Sequence, residues 1–151
     1  CGILGSSDLD QASPLAASLQ TDFLLPLIYP VVRDGKIKAK FLQKRLDKCA
    51  KESGDYVKAF LKMFGDARPY VTMQSCKNQF YSDLITPLPD KIHVPGTEIH
   101  IFYALKMGAK YRARYQQHFA HPVLHEQNLQ HEELLACHPV QWAHLVKSIA
   151  L

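Results

Sequence analysis

Histidines, an N-terminal cysteine and a run of basic side chains are the residues of this chain whose types and spacing suit chemistry. His118, His121 and His125 recur closely enough for their imidazoles to share a zinc ion. Pro122 interrupts the helix that would align them and no cysteine or aspartate joins the group, so a solvated set of histidines is expected and no metal site. His131 is followed by Glu132, Glu133 and Leu134, and the leucine at position 135 takes the place of the second histidine of an HExxH zinc motif. Cys1, with its own α-amine as base, has the form of an N-terminal nucleophile. That chemistry needs stacked antiparallel sheets, which the helix-rich sequence after residue 10 does not build.

The stretch from Arg33 to Lys51 carries eight Lys or Arg residues against Asp34 and Asp47, and predicts a strongly positive helix face. Such a face attracts nucleic acid, anionic membranes or an acidic partner. No aromatic residues alternate with the charges to stack bases, so nucleic acid is not expected and a solvated helix is the simpler reading.

These residues must be held by a fold that the rest of the chain supplies. At 151 residues there is length for one domain with a hydrophobic core. A hydrophobic fraction of 47% beside 21% charged residues matches a folded globular protein and excludes a disordered or fibrous one. The longest apolar run, Phe23 to Val32, is too short to cross a bilayer and contains Pro26 and Pro30, so no membrane span is expected. Cys1 to Asp10 lacks the pattern of a signal peptide. Cys1, Cys49, Cys76 and Cys137 form no CxxC pair, which suits reduced thiols in the cytoplasm. Because the chain opens on cysteine, it is expected to be a fragment of a longer reading frame.

Along the chain, Gly2-Ile3-Leu4 ending at Gly5 predicts a short buried strand, with Ser6, Ser7 and Asp8 capping the turn that follows. Residues 11–85 read as a helical block. Asp10 or Ser13 caps a helix around Pro14 to Leu19; the clearest helix runs from Lys36 to Glu52 and is stopped by Gly54. Asp55 caps another that ends at Gly65, and a third covers about Val71 to Ile85. Phe41, Phe60, Phe64 and Phe80 on these helices suit a core or an acyl pocket equally.

Pro87, Pro89, Pro95 and Gly96 mark a linker, after which the pattern changes. Glu98 to Leu105 reads as a strand, the segment after Gly108 as a helix with Tyr111, Tyr115 and Phe119 on one side, and His121 to Gln127 as another strand. A loop holding His131 comes next. Pro139 opens a last helix whose packing surface is Val140, Trp142, Leu145, Val146 and Ile149. The alternation after residue 98 predicts parallel strands covered by helices.

The tail from Thr97 through Met107-Gly108, the basic helix, His131-Glu-Glu-Leu-Leu-Ala-Cys-His-Pro139 and the closing helix resembles the end of bacterial α/β-hydrolase proteins. The resemblance implies an α/β fold in which residues 1–10 and 86–151 form part of a hydrolase-like parallel sheet and residues 11–85 are an inserted helical lid. It implies a serine ester or acyl hydrolase acting without cofactor on a small-molecule ester, with His131 as the triad base. The carboxylate falls to Asp8 ahead of Asp10. Ser7 is the nearest approach to the nucleophile, but Gly5-Ser-Ser7-Asp-Leu lacks the second glycine of a G-x-S-x-G elbow, so the nucleophile is expected upstream of Cys1. Two rivals stand beside this reading. One is a non-catalytic helical module that binds an acidic partner through residues 33–51; the other is a truncated sheet whose open edge pairs with a second copy or a separate N-terminal segment.

Overall fold

The computed structural model describes residues 1–5, 9–34, 37 and 40–150. The chain divides into two compact units, residues 1–9 with 88–151 and residues 10–87. The first is mixed α/β and holds a three-stranded parallel sheet in the order β1 (Gly2–Leu4), β2 (Ile99–Ala104), β3 (Val123–Gln127). In register, Ile3 lies beside His100, Ile101 beside Leu124 and Phe102 beside His125.

Residues alternate between the faces of a strand, and β2 uses both. Ile101 and Tyr103 point to one side and pack with Tyr115 and Phe119 of α6 (Ala109–His118) and its C-cap, forming the core of this unit. Tyr103 and Tyr115 meet edge to face at 5.9 Å, and the Tyr103 hydroxyl donates to the Gly108 carbonyl at 2.8 Å. Phe102 points the other way, edge to face on Trp142 of α8 (Pro139–Ala150) at 4.9 Å. Helices thus cover both faces, which is how parallel sheets bury their strands. Val140, expected to pack, is 70% exposed. It lies on the solvent side of α8 with His144 and Lys147.

The proline-rich segment before β2 is more than a linker. Ile92 forms a parallel bridge with Phe119: its N–H donates to the His118 carbonyl at 2.7 Å and its carbonyl accepts from Ala120 at 3.0 Å.

The second unit is helical: α1 (Pro14–Leu19), a π-turn at Gln20–Leu24, α2 (Leu25–Asp34), α3 (Lys40–Glu52), α4 (Gly54–Ala67) and α5 (Met73–Ile85). Ser13 caps α1 through Ala16. The apolar run containing Pro26 and Pro30 is helical, and the π-turn widens the helix just before Pro26, which has no N–H to give to a regular turn. Three expected boundaries move. Gly54 is the first residue of α4 and does not merely end α3; Ser53, not Asp55, is the cap position of α4, while Asp55 pairs with Lys58 at 3.2 Å; and α4 runs through Gly65 to Ala67. A single glycine inside a helix costs only about 1 kcal/mol, which neighbouring turns carry. The basic stretch is not one helix either: Arg33 ends α2 in an ion pair with Asp34 at 2.7 Å, and Lys40, Lys44, Arg45, Lys48 and Lys51 lie on α3. Among the described residues no helix is long and apolar enough to cross a membrane.

Candidate functional site at the carboxyl rim of the sheet

Parallel strands end on one rim, and here that rim is formed by Gly5 after β1, Leu105 after β2 and the turn after β3. Ligands of open α/β sheets bind outside such strand ends. The turn after β3 crosses the rim. Lys106 donates its backbone N–H to the Leu129 carbonyl at 3.2 Å, which ties the turn to the end of β2. Further along, Glu132 reaches the end of β1: a Cβ built on Gly5 would lie 2.9 Å from Glu132 Oε1. Glycine is needed at position 5 for this approach.

His131 sits in the part of the turn that makes this crossing. Glu133, buried at the start of α7 (Glu133–Cys137), accepts from the Gln130 N–H at 2.6 Å and shapes the loop from within. Glu132 holds a left-handed backbone with φ 57°, a conformation that is strained for a side chain of its size. The Nδ1 atom of His131 is buried and has no hydrogen-bond partner among the described residues. Unsatisfied buried nitrogens are rare and concentrate where a fold serves function.

Ser7 and Asp8 lie outside the described residues, as do Gly35, Lys36, Lys38 and Ala39, where the basic helix was expected to begin. Asp10 is half-buried and belongs to the helical unit, whereas His131 belongs to the sheet unit. Cys1 is exposed at the opposite end of β1 from Gly5.

The three closely spaced histidines also part company. His118 is buried with Nδ1 at 3.2 Å from the Pro89 carbonyl and 3.1 Å from Asp90 Oδ1. His121 is exposed. His125 meets His100, which sequence reasoning did not single out: His100 Nδ1 and His125 Nε2 are 3.0 Å apart, and His100 Nε2 is 3.1 Å from Glu98 Oε2. Partial burial first, and the neighbouring His100 second, hold the His125 imidazole below its ordinary pKa, against an opposing pull from Glu98. Among the described residues no group of three or more ligating side chains is placed to hold a metal.

Within the helical unit, Leu25, Ile28, Phe64, Val71, Cys76 and Phe80 line a largely apolar hollow of about 500 Å³. Phe60 meets Phe64 edge to face at 4.4 Å, while Phe41 is 48% exposed and takes no part in the lining. Burial pushes the Cys76 thiol up from its ordinary pKa.

No family model, curated protein or solved structure matches the chain.

Proposed function

We propose that this chain carries the base of an ester or acyl hydrolase of the α/β-hydrolase type, with His131 as general base at the carboxyl rim of the sheet. The observation that carries the reading is the approach of Glu132 to Gly5, which makes the histidine turn and the segment leaving β1 neighbours on one rim. The order of elements adds support: strand, helical insertion, strand, α6 on one face, strand, histidine turn, and α8 on the other face.

In such a mechanism the imidazole takes a proton from a serine hydroxyl through Nε2, while Nδ1–H is held by a carboxylate that fixes the tautomer. The Nδ1 of His131, without a hydrogen-bond partner among the described residues, is the atom that this carboxylate would take. Asp8, three residues past Gly5, is the favoured donor of it, with Asp10 as alternative and Ser7 the nearest hydroxyl candidate in sequence. A serine elbow supplied from outside this sequence would add a strand along the outer edge of β1, which pairs only with β2 among the described residues.

The test is hydrolysis of short p-nitrophenyl esters by the protein expressed from its whole reading frame, with and without His131→Ala. A fall of about 10²-fold or more in kcat, with the thermal midpoint retained, is expected for loss of a general base. Ester turnover that is absent from the parent, or equal in the variant, would remove the reading.

A second reading rests on α3, none of whose residues is buried although five are basic. It binds an acidic partner through that face. Affinity that does not weaken with added salt would exclude it.

A further inference from the structure

Two imidazoles whose facing nitrogens are 3.0 Å apart need one hydrogen between them, and have no room for two. We propose that Glu98, His100 and His125 form a one-proton clasp between β2 and β3, and that a second proton opens it, loosening the strand that leads into the His131 turn. The proposal concerns the fold and holds whatever chemistry His131 performs.

With both rings neutral, His100 donates from Nε2 to Glu98 and accepts at Nδ1 from His125 Nε2, so every facing atom is satisfied. One added proton is also accommodated: the His100 imidazolium donates from Nε2 to Glu98 and from Nδ1 to His125, whose remaining hydrogen moves to its own Nδ1. A second proton has nowhere to go. It places an N–H on each side of the same 3.0 Å gap and two like charges in contact, and the pair must separate.

The surroundings confine the effect to these groups. Glu98 is 63% exposed and gives the chain of groups a route to solvent protons. On the same face the neighbouring side chain of β2 is Phe102, which meets His125 edge to face at 5.3 Å and Trp142 at 4.9 Å. The charges on α8, His144 and Lys147, lie along its solvent side with Pro139, Val140 and Ala143. Glu126 is taken by Arg112 of α6 at 2.9 Å. Among the described residues, His100 and Glu98 are the titratable groups that bear on His125. Among the described residues β3 pairs with β2 alone, so no second strand holds it when the clasp opens.

Trp142 is the only tryptophan and touches the ring that touches His125, so it reports the clasp from within. The experiment follows Trp142 fluorescence and the amide-exchange protection of β3 from about pH 7.5 to about pH 5, a range that spans ordinary histidine titration. The expected result is a fluorescence transition in the acid half of that range, together with a fall of about tenfold or more in β3 protection, a shift typical of a local opening, while α6 protection is kept. His125→Gln should abolish the transition, and His138→Gln and His144→Gln should leave it in place. If His125→Gln does not fold, exchange on the unaltered protein still decides. Protection of β3 that does not change with pH, or a transition that survives His125→Gln, would overturn the proposal.

Discussion

Glu132 Oε1 lies 2.9 Å from the point where a side chain at position 5 would begin. The obstacle is the far end of a flexible side chain, so it can swing aside. Gly5→Ala should therefore cost less than about 1 kcal/mol by urea unfolding, and Gly5→Val about 2 kcal/mol because a branched group overfills the gap. A double-mutant cycle with Glu132→Ala should show coupling of at least about 0.5 kcal/mol. Strict additivity would mean that the two residues do not meet in solution.

Tyr103 is fully buried, yet its hydroxyl is used, donating to Gly108. Tyr103→Phe keeps the ring against Tyr115 and removes that donor, while the Gly108 carbonyl keeps the Tyr111 N–H at 3.1 Å. A loss of about 1 kcal/mol is expected. Tyr70→Phe is the control, because Tyr70 is 85% exposed and its change should be neutral in the same unfolding measurement.

The parts of this fold that were legible in the sequence are those written by local pattern. The β-branched and aromatic run ending at Ala104, and the tyrosines of α6, are spaced for a strand and a helix, and both elements form there. What the pattern could not give is register. His100 and His125 stand 25 positions apart, and only the pairing of β2 with β3 brings their rings together. The solvated set expected of His118, His121 and His125 did not allow for the burial of His118: Phe119 ends α6, and the chain passes from helix to strand within that span. At the rim, the signal for Gly5 was read as the end of a strand, while its closer function is to admit Glu132, a contact that no spacing rule contains.

The start of α5 depends on a reciprocal cap. Thr72 accepts from the Ser75 N–H at 3.0 Å, and Ser75 Oγ accepts from the Thr72 N–H at 2.9 Å. Thr72→Ala should cost about 1 kcal/mol and Thr72→Ser a few tenths. Circular dichroism during urea unfolding would show this as a lower midpoint with unchanged slope. Equal loss in both variants would point to the threonine methyl and away from the cap.

Cys76 should be the slow thiol and Cys1 the fast one. The thiolate is the reactive form, and burial raises the Cys76 pKa and so lowers its thiolate fraction at neutral pH. Cys1 is exposed at the start of the chain. Alkylation followed by peptide mass analysis should modify Cys1 well before Cys76, because access and thiolate fraction both favour the exposed thiol, and denaturant should erase the gap. Comparable rates in the folded protein would show that the hollow around Cys76 opens freely.

Stability should fall on mild acidification, and His125 fixes the sign. Its folded pKa lies below the ordinary value of 6.5, mainly through burial and next through His100. The unfolded chain therefore takes up the proton first as pH falls, and proton uptake favours the unfolded state. The His125 contribution is fully present above 6.5 and is lost as pH drops from there through the lowered folded value. Urea midpoints measured at intervals across this window should decline in the unaltered protein and decline less steeply in His125→Gln. Parallel curves would mean that His125 titrates alike folded and unfolded, and that the contact with His100 does not persist in solution.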